Sequence, residues 1–136
     1  MAQTGIQPEV RDNFALMSLA AKGDIELSIL PATVNRAATA AAWTRYVNIR
    51  LQTAAGDVHK WFTGSISTTL SIADTSTAGT ASIPSTTLSF ENGEARIPVS
   101  GDAAAWLATE TDTLTIGNLT IYGETITGGT SVQTFV

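Results

Sequence analysis

FENGEARIPV, running from Phe90 to Val99, is the stretch from which the fold is read. Both central positions of a type I′ turn need positive φ, which Asn and Gly adopt most readily, so Asn92-Gly93 signals a tight hairpin. After the turn Ala95, Ile97 and Val99 alternate with Glu94, Arg96 and Pro98, the period of a strand with one buried face. A hairpin over Phe90 to Val99 is therefore expected. Pro98 has no N–H to give to a ladder, which places this strand at a sheet edge or the proline at a bulge.

The same alternation recurs in both directions. Ile25, Leu27 and Ile29 share one face of a first strand that ends at Pro31, and Val47, Ile49 and Leu51 point inward within Tyr46 to Gln52 while Asn48 and Arg50 face outward. Between them, Asn35 to Ala42 is rich in Ala and Thr and reads as a connection. Ala54 to Asp57 form a turn. Val58 to Phe62 and Ser65 to Ile72 are further strand candidates, the second with Ile66, Leu70 and Ile72 on one face and Gly64 at the bend before it. Thr80 to Phe90 is interrupted by Pro84. Closing strands are expected at Thr111 to Ile116, Leu119 to Thr127 and Ser131 to Val136, with Gly117-Asn118 between the first two. Short strands at even spacing, punctuated by Gly, Pro, Asn and Asp, indicate an all-β sandwich or barrel. Trp43, Trp61 and Trp106 are the largest residues available to its core or core rim.

Residues 1–23 differ in character. Pro8 and Glu9 suit a first helical turn, Gly23 suits a stop, and Val10, Phe14, Met17 and Ala21 fall at helical spacing, so this part reads as an arm or a short helix. Its apolar residues Ile6, Val10, Phe14, Leu16, Met17 and Leu19 need a surface to cover, on this domain or on a partner.

Two longer phrases carry a family resemblance. VNIRLQTAAGDVHKWFTG, from Val47 to Gly64, and AGTASIPSTTLSFENGEARIPVSG, from Ala78 to Gly101, resemble bacterial Ig-like (Big-type) domains of tailed-bacteriophage structural proteins. AAWLATETDTLTI, from Ala104 to Ile116, is similar to the Trp-containing approach and last strand of the phage-borne versions. The resemblance implies an immunoglobulin-like β-sandwich over 24–136, preceded by the arm or helix of 1–23, and the single-domain format is most like a head decoration (cement) protein. It further implies a non-enzymatic virion protein made in the host cytoplasm and bound to the outer capsid surface. Its partners would be the major capsid protein or another virion protein, with a homo-oligomer as a further expectation. The alternative is a carbohydrate or host-receptor binding module, for which Tyr46, Trp61 and Tyr122 are the available aromatic platforms.

Composition narrows the chemistry. With a net charge of −5 and only seven Lys and Arg in 136 residues, the chain lacks the basic cluster that a phosphate backbone requires, so no nucleic-acid partner is expected. Without Cys it has no disulfide, thiolate metal site or thiol nucleophile. No stretch approaches 18 uninterrupted apolar residues, and MAQTGIQPEVRDNF has neither the basic nor the apolar region of a secretory signal, so a soluble, cytosolically made protein with no membrane partner is expected. His59, the one histidine, follows a turn beside Asp57 and Lys60 and reads as an exposed loop residue. Asp102, Glu110 and Asp112 read as solvated loop charges, with calcium binding at such loops the minor alternative. Asn118-Leu119-Thr120 is a chance sequon match. No G-x-S-x-G, P-loop or G-x-G-x-x-G phrase occurs. No catalytic residue, cofactor or metal is expected.

Overall fold

The computed structural model describes residues 24–121 and 124–136, and among these residues all regular structure is β. The strands are β1 (Glu26–Leu30), β2 (Thr33–Arg36), β3 (Trp43–Gln52), β4 (Gly64–Ser67), β5 (Leu70–Asp74), β6 (Ala81–Ser82), β7 (Thr87–Phe90), β8 (Glu94–Gly101), β9 (Thr111–Ile116), β10 (Leu119–Ile121), β11 (Glu124–Ile126) and β12 (Gly129–Phe135). Two four-stranded sheets are formed, in the orders β1-β3-β8-β6 and β2-β12-β9-β5. Every pairing is antiparallel except β2 with β12, which run parallel. The chain passes from the first sheet to the second between β1 and β2, at the cis Leu30–Pro31 bond. Two smaller pairs, β4 with β7 and β10 with β11, complete the set.

The longest strand shows why these residues choose this structure. Across β3, Trp43, Arg45, Val47, Ile49 and Leu51 are buried, and the residues between them are exposed or half-buried. β8 answers in register, Val47 opposite Ile97 and Ile49 opposite Ala95. From the second sheet, Leu114 and Ile116 on β9 and Phe135 on β12 complete the core. One end of that core is aromatic: Trp106 stacks on Phe135 with ring centroids 5.2 Å apart, and Trp43 meets both edge-on. At the other end Phe62 packs against Phe90 at 5.9 Å.

Several sequence expectations change in three dimensions. Asn92 and Gly93 adopt φ of 53° and 79°, as the turn demands, but the ladder beyond them is a single bridge, Glu91 with Glu94. The flanks then part, β7 to β4 and β8 to β3, because the turn is itself tied down: Gly93 N donates to Phe62 O at 2.7 Å and Leu51 N donates to Gly93 O at 2.9 Å. Val58 to Phe62 is not a strand. After the Gln52–Val58 bridge, the bond from Phe62 N to His59 O closes a turn that carries both side chains inward.

Ser65 to Ile72 is two strands in two sheets rather than one. Thr68 Oγ1 donates to Gly117 O at 3.0 Å, and Gly117 N donates to Thr69 O at 2.7 Å, which holds the corner between β4 and β5. Leu119 to Thr127 likewise divides, β10 pairing with β11 so that Leu119 lies opposite Ile126 and both are buried. The expected connection at Asn35 to Ala42 begins two residues later, since Asn35 and Arg36 belong to β2 and pair with β12. Pro98 lies opposite Tyr46 in an unbroken β3 ladder, and β8 stands between β3 and β6, so neither the expected edge strand nor a bulge is found; β6 borders β8 only at Ser100 and Gly101, and among the described residues no β6 residue stands opposite Pro98.

Candidate functional site

Three places on the domain concentrate chemistry, and the first is internal. Arg45 occupies an inward position of β3 and reaches across to the second sheet. Its Nε and Nη2 donate to Asp112 Oδ1 at 2.9 and 2.6 Å, its Nη1 to Ser131 Oγ at 2.8 Å, and Nη2 also to Ser131 O at 3.1 Å. Gln133 Nε2 donates to Asp112 Oδ2 at 2.7 Å, and Arg36 Nε donates to Gln133 Oε1 at 3.0 Å. Ser131 Oγ donates to Pro31 O at 2.6 Å, so the crossing between sheets is held by the same cluster. Asp112 is fully buried rather than a solvated loop charge, because β9 turns it inward to meet the guanidinium. A buried charge pair needs every lone pair and proton satisfied, and this network supplies the partners. It is a clamp between sheets, closed to a substrate.

His59 also departs from its expected place. It is 6% exposed, with Nε2 3.0 Å from Asp24 O and its ring edge-on to Trp61 at 5.7 Å. The turn after Val58 folds it against the start of β1, where it fastens the chain leading into the first strand. Trp61 beside it is 38% exposed, on the rim of the core.

The second place is a groove of about 520 Å³ on the outer side of the first sheet, lined by Asn48, Ser89, Glu91, Asn92, Glu94 and Arg96 among others. Arg50 Nε donates to Glu94 Oε1 there at 2.6 Å. Tyr46 is nearly half-exposed, but the Arg96 guanidinium lies 3.7 Å from its ring centroid, a cation–π contact that covers one face.

The third place is a pole. Residues 36–42 and 102–107 contain two alanine runs that are distant in sequence and joined in space by the Thr39–Trp106 bridge, with Thr39 N to Trp106 O at 3.1 Å and Trp106 N to Thr39 O at 2.8 Å. Ala40, Ala41, Ala42, Ala103 and Ala105 are exposed, and Leu107 is 55% exposed among them. The aromatic end of the core lies beneath. Asp102 and Glu110 brace this pole: Asp102 Oδ1 accepts from Thr80 N at 2.9 Å, and Glu110 Oε2 accepts from Leu107 N at 2.8 Å. The bond from Leu107 N holds the Glu110 carboxyl below its ordinary value; desolvation opposes it, and Thr77 N and Ser76 add smaller lowering effects.

Of the residues singled out from sequence, Ile6, Val10, Phe14, Leu16, Met17, Leu19 and Tyr122 lie outside the described residues, as does the proposed arm over 1–23. Among the described residues no three His, Asp or Glu side chains converge on a point that would hold a metal ion, and Asp102, Glu110 and Asp112 serve separate structural bonds. Asn118 Oδ1 accepts from Gly128 N at 2.9 Å. No helix among the described residues is long and apolar enough to cross a membrane. No family model and no curated protein matches the chain.

The clamp and the pole are what sequence reading missed. Arg45, Asp112 and Gln133 each stand on the inward phase of their strands, a signal that was present in the alternation. The two alanine runs carried none, since only the bridge between them makes one surface.

Proposed function

We propose that this chain is a non-enzymatic assembly module with an immunoglobulin-like sandwich, a virion structural protein of the head-decoration kind that binds a capsid lattice. The observation that carries the assembly reading is the pole, where exposed Leu107 stands with Ala40, Ala41, Ala42, Ala103 and Ala105, because apolar groups gathered into one patch are what an interaction surface presents. The immunoglobulin-like assignment is supported by strand order. If β1, β3, β5, β6, β8, β9 and β12 are lettered A to G, one sheet runs A-B-E-D and the other C-F-G, with β2 added beside G. The phage context rests on the resemblance of the Val47 to Gly64 and Ala78 to Gly101 phrases.

The groove beside Tyr46 favours the alternative, a glycan-binding module, because Asn48, Glu91, Asn92 and Arg96 present the donors and acceptors a sugar needs next to an aromatic ring. The bound Arg96 weighs against it, since stacking a sugar on that face of Tyr46 requires its displacement. Cryo-electron microscopy of the chain mixed with phage heads tests the first reading: ordered density on the outer lattice is expected, and bare heads at saturating protein would refute it. A glycan array with Tyr46→Ala as control tests the second.

A further inference from the structure

The pole raises the question of what covers it, and the position of the chain's own apolar segment bears on the answer. β1 pairs with β3 so that Glu26 lies opposite Gln52, while the pole lies beyond Trp43 at the other end of β3. Asp24 is held at the Gln52 end by His59. Ten residues of β3, at a rise of about 3.3 Å each, put about 30 Å between these ends. Met17 and Leu19 stand seven and five residues before Asp24, and a fully extended chain carries them at most about 25 and about 18 Å from it. They cannot reach the pole of their own domain. A second copy placed end to end brings its pole to them.

The two surfaces also match in chemistry. Phe14 to Ala21, FALMSLAA, contains no charged residue, and neither do Ala37 to Ala42 nor Ala103 to Leu107. We propose that Met17 to Leu19 of one copy dock on the alanine pole around Leu107 of a second copy, so that copies associate end to end. The proposal rests on the assembly reading above and names its partner as another copy of this chain. Because donor segment and acceptor pole are different surfaces, the contact is heterologous, and repetition closes a ring or extends a filament.

The test uses the full chain, which has no cysteine of its own. One preparation carries Met17→Cys and a second, of distinguishable mass, carries Leu107→Cys. On oxidation after mixing, a disulfide-linked heterodimer of the two variants is expected as the main product, and no heterodimer above the background of homodimers overturns the proposal. A single chain bearing both substitutions is expected to give intermolecular bands on a non-reducing gel. A closed monomer would instead mean that the segment reaches its own pole, which also overturns it. Leu19→Cys with Ala105→Cys repeats the experiment at a second exposed pole position, should either first variant misfold. In sedimentation, the unsubstituted chain is expected to associate and Leu107→Glu to lose that association. An unsubstituted chain that stays monomeric at every concentration is a refutation. Binding to phage heads is scored separately, so cross-linked copies that fail to bind heads would remove the decoration reading and leave this contact standing.

Discussion

Replacing Asp112 by Ala removes the acceptor for three N–H groups at once, Nε and Nη2 of Arg45 and Nε2 of Gln133. Arg45 is buried and does not reach water when its partner goes; it keeps only Ser131, whose Oγ and O accept two of its bonds. Breaking a buried ion pair on one side leaves an uncompensated charge and costs about 3–5 kcal/mol. With a urea m-value of about 2 kcal/mol per M for a domain of this size, the unfolding midpoint of Asp112→Ala should fall by about 1.5–2.5 M. The attraction between the ions is not the main source of that loss. Much of their mutual energy is offset by desolvation, so the double variant Arg45→Met, Asp112→Leu should be more stable than Asp112→Ala. Its remaining cost, about 1–3 kcal/mol, is the orphaned Gln133 amide and the Ser131 acceptors. The assay is equilibrium urea unfolding of the unsubstituted chain, Arg45→Met, Asp112→Leu and the double, read as a double-mutant cycle, with Asp112→Ala measured beside them. Strictly additive losses, or a shift below about 0.3 M for Asp112→Ala, would refute the clamp, since either means that the two groups do not meet in a dry core.

The remaining predictions concern the turns that frame the sandwich. Gly93→Ala places a Cβ 2.5 Å from His59 O at a φ of 79°, and is expected to cost about 1–3 kcal/mol in backbone strain with a steric loss added; Gly56→Ala, at a φ of 96° but in open space, should lose less by thermal unfolding, and equal losses would show that the His59 contact yields freely. His59→Ala removes the bond to Asp24 O and should lower stability by about 1–2 kcal/mol in urea while leaving the proposed head binding intact; binding lost at full stability would give the imidazole a direct role. Glu110, whose folded value is lowered mainly by the Leu107 N–H, contributes stability that is present above its unfolded value and is lost as pH falls through the folded one. Its carboxyl carbon should therefore titrate below the ordinary glutamate value by NMR, and Glu110→Gln should flatten the acid limb of stability below about pH 4.5.

Strand existence was legible because alternation is a local property. β3, β8, β9 and β12 each bury every second residue, and the expectation for each held along most of its length. Sheet membership was not legible, for a physical reason visible in Ser65 to Ile72. Ile66, Leu70 and Ile72 keep one parity throughout, so period alone favours a single strand, yet the corner at Thr68 and Thr69 is made by bonds to Gly117 and Asn118, far along the chain. A local pattern holds no information about a distant carbonyl. The hairpin at Asn92-Gly93 fails in the complementary way: the turn dipeptide fixes its own φ values, but how far the flanks pair is decided by Phe62 and Leu51, which compete for the same turn.

The candidate sites follow the same division. Arg45 shares a phase with Val47, Ile49 and Leu51, Asp112 with Leu114 and Ile116, and Gln133 with Phe135, so each polar residue stands where its strand points inward. An inward arginine on one strand requires an inward acid elsewhere, because an unpaired guanidinium in the core is too costly to persist. Asp112 is the one Asp or Glu among the buried polar residues of the described chain, and it is the acid that the guanidinium meets. The pole obeys no such rule. Alanine is compatible with strand, helix and loop alike, and its exposure there follows from where Thr39 meets Trp106 rather than from any preference of its own. A surface assembled this way is free of the constraints that fix the core, which leaves its composition open to selection by whatever it touches.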